Sequence, residues 1–131
     1  MGITTGLLIF NDAEELDFVG PWEVLTAAAT MRNEGDVVVT IAERPAPVRC
    51  NKGMRVVPDC TFAEAPPLDV VLVPGGQGTR CEVDNPILIA WLRAAGERCT
   101  WVTSVCTGAL LLHEAGFARG RRVTTHWAFV E

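Results

Sequence analysis

Residues 103–112 read T-S-V-C-T-G-A-L-L-L, and this stretch decides the fold. Upstream of Cys106, Thr100-Trp101-Val102-Thr103-Ser104-Val105 is mostly β-branched or aromatic, the composition of a buried strand. Downstream, Gly108 to Ala115 is a run of Ala and Leu, good helix formers, closed by Gly116 as a C-terminal stop. Cys106 therefore falls where a strand turns sharply into a helix, and Gly108 leaves room for the turn. That is the layout of a nucleophile elbow. A thiol in that place faces free N–H groups and the positive end of the helix dipole, and both favour the reactive thiolate. The competing reading of Cys106 is a small buried hydrophobe.

The flanking sequence alternates strand and helix signals. Thr4–Phe10 is a short apolar run that predicts a buried first strand, broken by Asn11-Asp12. Pro21 suits a first helical turn, so a helix is expected from about Pro21 to Met31, with Trp22, Val24, Leu25 and Ala28 inward. Val37–Ala42 (V-V-V-T-I-A) predicts a second strand, and the proline-rich segment after it a loop with one or two edge strands, best at Arg55–Pro58. Leu68–Val73 predicts another strong strand, stopped by Pro74-Gly75-Gly76. Asn85-Pro86 reads as N-cap and first-turn proline of a helix to Glu97, with Ile87, Leu88, Trp91 and Leu92 facing inward. After the elbow, Val123-Thr124 predicts a short strand and Trp127-Ala128-Phe129 the opening of a helix. This alternation predicts an α/β fold: a doubly wound, flavodoxin-like sandwich with a mostly parallel sheet. Ligands in such folds bind beyond the carboxyl ends of the strands. The Glu14-Glu15-Leu16-Asp17 loop, the Pro74-Gly75-Gly76 loop and Cys106 all fall there, which favours the reactive reading of Cys106.

Composition narrows the function. The chain has 131 residues, 49% hydrophobic, enough for one domain with one core. No apolar run has the length of a membrane span and the N-terminus has no basic signal region, so a soluble cytoplasmic protein is expected. A net charge of −5 with no Lys/Arg stripe argues against nucleic-acid binding through this segment. Arg119-Gly120-Arg121-Arg122, the only basic cluster, reads as an exposed turn. The five cysteines include no C-x-x-C pair and no histidine at ligand spacing, so neither a metal site nor a disulfide framework is expected. The alternation breaks off at Glu131, just where a helix would begin. One domain over 1–131 is expected, with its closing part cut short or supplied by a partner.

V-T-S-V-C-T-G-A-L-L-L from Val102, A-G-F-A-R-G-R-R-V-T-T-H-W-A from Ala115, L-D-F-V-G-P-W-E-V-L from Leu16 and V-P-G-G-Q-G from Val73 together resemble the ThiJ/PfpI superfamily, and within it the isocyanide hydratase branch. The resemblance implies Cys106 as nucleophile and Asp17 as its acid partner. It implies Gly75, Gly76 and the Thr107 N–H as groups that stabilise charge on the substrate, with His126 and Glu15 in supporting places. A carboxyl held against a thiolate favours its protonated form, since two anions in one desolvated site repel, and could pass that proton to a substrate. Thr107 stands where protease-like relatives carry a histidine and cannot serve as a base near neutral pH. The implied activity is hydration of an isocyanide to an N-substituted formamide by covalent cysteine catalysis, without metal or organic cofactor. The implied partners are a small-molecule substrate and a second copy in a homodimer. Ligand-sensing domains of AraC-type transcription regulators carry similar segments, and a cysteine-based oxidative-stress or glyoxalase-type protein of the same superfamily uses the same thiol.

Overall fold

The computed structural model describes residues 1–130. Along the chain run β1 (Thr4–Leu8), α1 (Glu15–Arg32), β2 (Val37–Ala42), β3 (Val48–Arg49), β4 (Arg55–Val56), β5 (Cys60–Thr61) and β6 (Val70–Val73). Then come α2 (Thr79–Glu82), α3 (Pro86–Arg98), β7 (Trp101–Ser104), a 3₁₀ turn at Cys106–Gly108 and α4 (Ala109–Glu114). One sheet takes the order β5-β2-β1-β6-β7 with every pair parallel, and β3 and β4 form a small antiparallel hairpin beside it. The fold is the expected flavodoxin-like α/β sandwich. Its continuous apolar strands follow from burial on both faces: Leu7, Leu8, Ile41, Val71 and Val73 are fully buried. The chain winds outward from β1 through β2 to β5, then returns to the other side of β1 with β6. The strand order thus reverses between β1 and β6, the place where a crevice opens in such sheets.

Several expectations are corrected. α1 begins at Glu15, not near Pro21, and holds Pro21 in its interior although a mid-helix proline costs about 3 kcal/mol. The inward stripe is Phe18, Pro21, Leu25, Ala28 and Ala29. Trp22 and Val24, expected inside, are 41% and 67% exposed. Asn85 caps α3 as predicted, its side chain accepting from the Ile87 and Leu88 N–H groups. Ile87 itself lies outward at the helix start, while Leu88, Ile89 and Leu92 are buried and Trp91 stacks on Phe62. No strand forms at Val123-Thr124. The chain there is drawn over the elbow instead, where the Thr125 hydroxyl donates to the Cys106 carbonyl. The expected helix at Trp127 is a single 3₁₀ turn, Trp127–Phe129. β3, β5 and α2 have too few residues to show a period. Among the described residues, no helix is long and apolar enough to cross a membrane.

The core also fixes a titration. Burial, aided by the Glu15 and Asp12 carboxylates, pushes the Cys50 thiol from 9.0 up to about 11. Between those values the folded chain keeps a proton that the unfolded chain has lost. The contribution is therefore complete below about pH 9 and declines by about 2–3 kcal/mol as the pH climbs toward 11. Cys50→Ala should flatten this alkaline fall in urea unfolding midpoints; an unchanged slope would contradict it.

Candidate active site

β7 runs into the turn with Val105 anchored by a 3.0 Å hydrogen bond from its N–H to the Val73 carbonyl. Cys106 then takes φ 54, the left-handed region, before the chain enters the 3₁₀ turn and α4. For a residue with a Cβ this costs about 1–2 kcal/mol, so the surroundings must hold it. Two glycines let them do so. A Cβ on Gly108 would overlap the Val73 carbonyl oxygen and stand 2.8 Å from that of Pro74. A Cβ on Gly75 would stand 2.6 Å from the Thr107 nitrogen and 2.8 Å from the Cys106 Cβ. Backbone from the β6 end is therefore pressed directly against the elbow, closer than any side chain would allow.

Asp17 reaches the same point from α1. It is 7% exposed, and its Oδ2 accepts a 3.0 Å hydrogen bond from the Gly75 N–H. Gly75 thus touches both the elbow and the carboxylate, bringing together two residues far apart in sequence. Gly76 follows with φ 112, and a Cβ there would lie 2.6 Å from the Asp12 carbonyl oxygen. Its N–H donates to the Thr107 Oγ1 at 3.1 Å, and Thr79 donates to the Gly76 carbonyl at 2.8 Å. Gly75 and Gly76, expected to stabilise charge on a substrate, both lie at the elbow. Both donors are already satisfied within the protein, one by Asp17 and one by Thr107, and the glycines shape the elbow by close approach. Thr107 is 1% exposed and ties the two loops together.

Glu15 and His126 stand one step away. The Glu15 Oε2 accepts from the Lys52 and Met54 N–H groups at 2.8 and 3.4 Å, and Glu14 pairs with Lys52, so this acidic pair holds the β3–β4 hairpin. No hydrogen bond joins Glu15 to the elbow, and its Oε1 is buried without a partner. The His126 Nδ1 accepts from the Ala128 N–H at 3.1 Å, which places the proton of the neutral ring on Nε2. Its ring packs on Trp127 and Phe129. Its link to the elbow runs through Thr125, whose hydroxyl lies 3.1 Å from the Cys106 carbonyl oxygen.

Cys106 is half-buried and lines a cavity of about 340 Å³ between β7, α4 and the segment that follows α4. Asp17 does not line it and meets the elbow from the Gly75 side. The sequence reading missed Thr79, Thr125, Arg121 and Arg122. It also missed Arg80, which donates to the Gly76 carbonyl and lies over the Phe129 ring. Only Thr79 carried a cue, since a threonine three residues after a turn glycine commonly bonds back to it. Burial pushes the Cys60 and Cys99 thiols upward, aided by Asp59 and Asp69 respectively, which disfavours the thiolate at both. Among the described residues, no three His, Cys, Asp or Glu side chains gather as a metal site.

A parallel α/β sheet with a left-handed cysteine at a strand–helix turn defines the class: a flavodoxin-like protein carrying a thiol on an elbow. The sequence pattern of the DJ-1/PfpI family matches residues 5–131, and the chain belongs to that family. It is 36% identical over 130 residues to the isonitrile hydratase of Pseudomonas putida, covering 98% of this chain and 54% of that one. It is 28% identical over 123 residues to the glutathione-independent glyoxalase DJR-1.2 of Caenorhabditis elegans, covering 92% of this chain and 62% of that one. A crystal structure of a ThiJ/PfpI family protein from Pseudomonas syringae superposes with a TM-score of 0.87 at 29% identity, over 98% of this chain and 52% of that one. The chain thus spans 54% and 62% of the lengths of these two curated relatives.

Proposed function

We propose that the protein hydrates an isocyanide to the N-substituted formamide through a covalent intermediate on Cys106. The observation that carries this reading is the strained, left-handed Cys106 on an elbow packed against Gly75, whose N–H donates to the buried Asp17 carboxylate. The 36% identity to an isonitrile hydratase supports this reaction among those open to an elbow thiol. Strain at a half-buried nucleophile fits an active site, where an unfavourable backbone is retained for position rather than for stability.

In the proposed cycle the Cys106 thiolate attacks the terminal isocyanide carbon. A carbon–sulfur bond forms, and Asp17 delivers a proton to that carbon, giving a thioimidate. Water then adds to the same carbon, with the Asp17 carboxylate taking its proton. The carbon–sulfur bond breaks, the thiolate leaves, and tautomerisation yields the formamide. Charge is balanced at each stage, and the cycle as written uses no metal or organic cofactor. The Thr107 N–H, at the first turn after the nucleophile, is the proposed donor to developing charge. Thr107 offers no base, so Asp17 carries the proton transfers alone. We place this reaction in the cytoplasm and in a homodimer.

The test is the purified full-length protein with an aryl isocyanide, followed spectrophotometrically. Steady formation of the aryl formamide is expected. Absence of product while Cys106 still reacts with thiol reagents would overturn the assignment of substrate.

A further inference from the structure

The cavity beside Cys106 carries a charge pattern that the proposed reaction does not use. Half-buried Val102, Leu112 and Phe117 line it together with Ser104 and Thr125, and the exposed Arg121 and Arg122 border it. None of its lining residues is acidic. Among the described residues, neither arginine forms an ion pair or donates a side-chain hydrogen bond. Both arginines line a pocket that also holds a thiol. A guanidinium presents a planar fork that matches a carboxylate or phosphate oxygen pair. The pair is exposed, as the sequence alone reads it, and lines the cavity that holds Cys106.

We infer that the cavity of Cys106, Arg121 and Arg122 selects electrophiles that carry an anionic group, a carboxylate or a phosphate, a short distance from the carbon the sulfur attacks. This rests on Cys106 being the nucleophile and names the class of substrate that nucleophile takes. An apolar body between the reacting carbon and the anion would lie on Val102, Leu112 and Phe117, with the anion at the arginines. The overall field of the chain repels anions, so any preference for them at Cys106 is local in origin.

The test uses iodoacetate and iodoacetamide, nearly isosteric reagents differing by one negative charge. With either, the thiolate attacks the methylene carbon, a carbon–sulfur bond forms, the carbon–iodine bond breaks and iodide leaves. Full-length protein is treated with each reagent beside a neutral cysteine peptide, and modification of Cys106 is read by peptide mass spectrometry. The iodoacetate-to-iodoacetamide rate ratio at Cys106 should exceed that of the peptide by about fivefold or more, the size expected of two partly solvated charge pairs. It should fall to the peptide's ratio in the doubly substituted Arg121→Gln, Arg122→Gln protein. The same loss should follow in about 1 M salt, where charges are screened within about 3 Å. A ratio equal to the peptide's in the unsubstituted protein, or a preference that survives both glutamine substitutions, overturns the inference while leaving Cys106 as nucleophile. Inertness of Cys106 to both reagents overturns the nucleophile and the inference together.

Discussion

Cys106→Ala is expected to lower isocyanide turnover by about 10⁴-fold or more, because it removes the atom that forms the bond and leaves only binding and charge stabilisation. The same substitution should leave the thermal midpoint nearly unchanged, since alanine inherits the strained backbone and gives up little packing from a half-buried thiol. Cys106→Gly separates the two roles further. At φ 54 a glycine relieves the steric cost, so this variant should be equally inactive yet more stable by about 1 kcal/mol. Stability gained where activity is lost would mark the left-handed backbone as a functional expense of the fold. Paired denaturation and turnover measurements on the three proteins check this. Residual activity near the unsubstituted level in Cys106→Ala would contradict it.

Gly108→Ala should have the largest effect on stability, and opposing terms decide its sign. Gly108 has φ −57, an ordinary helical angle, so helix propensity alone predicts that alanine stabilises by about 1 kcal/mol. Space predicts the reverse. The added methyl would overlap the Val73 carbonyl and press on that of Pro74, both rigid backbone at the end of β6. Overpacking against groups that cannot rotate away costs about 3 kcal/mol or more, which outweighs propensity. The variant should therefore be destabilised by about 2 kcal/mol or more, and its Cys106 should react more slowly because the elbow has been pushed off Gly75. Unfolding midpoints together with Cys106 alkylation rates test both halves; unchanged stability would show that the turn has slack.

The glycine illustrates how much of the fold was legible in the chain. Continuous apolar runs gave β1, β2 and β6, because a strand buried on both faces leaves its composition in the sequence. The elbow was legible because a strand signal and a helix signal abut at one residue, and Gly108 was read for the right reason. The start of α1 was not. Its N-cap, Glu14, makes no side-chain capping bond, and Pro21 imitated a first-turn proline while lying inside the helix. Asp17 was reached through a resemblance, not through local pattern. The contact that makes sense of it, the hydrogen bond from the Gly75 N–H, joins elements that only the sheet topology brings together. The hydrogen bonds of Gly75 and Gly76 were hidden for the same reason, since nothing in P-G-G reveals that Asp17 and Thr107 accept from their N–H groups. Arg121 and Arg122 were hidden because local composition marks a turn without saying what the turn faces.

The central claim is that Cys106 forms a covalent bond to the substrate and Asp17 moves the protons. Asp17→Asn keeps an oxygen to accept from the Gly75 N–H, so it should preserve the elbow while removing the proton carrier. Mixing this variant in its full-length form with an aryl isocyanide, quenching in acid and weighing the peptide that contains Cys106 is the most direct measurement. The account predicts that turnover nearly vanishes and that no comparable adduct accumulates, whereas the unsubstituted protein, quenched during turnover, yields a Cys106 peptide heavier by one isocyanide. Full turnover by Asp17→Asn, or product formation by the unsubstituted protein with Cys106 unmodified at every quench time, would contradict it.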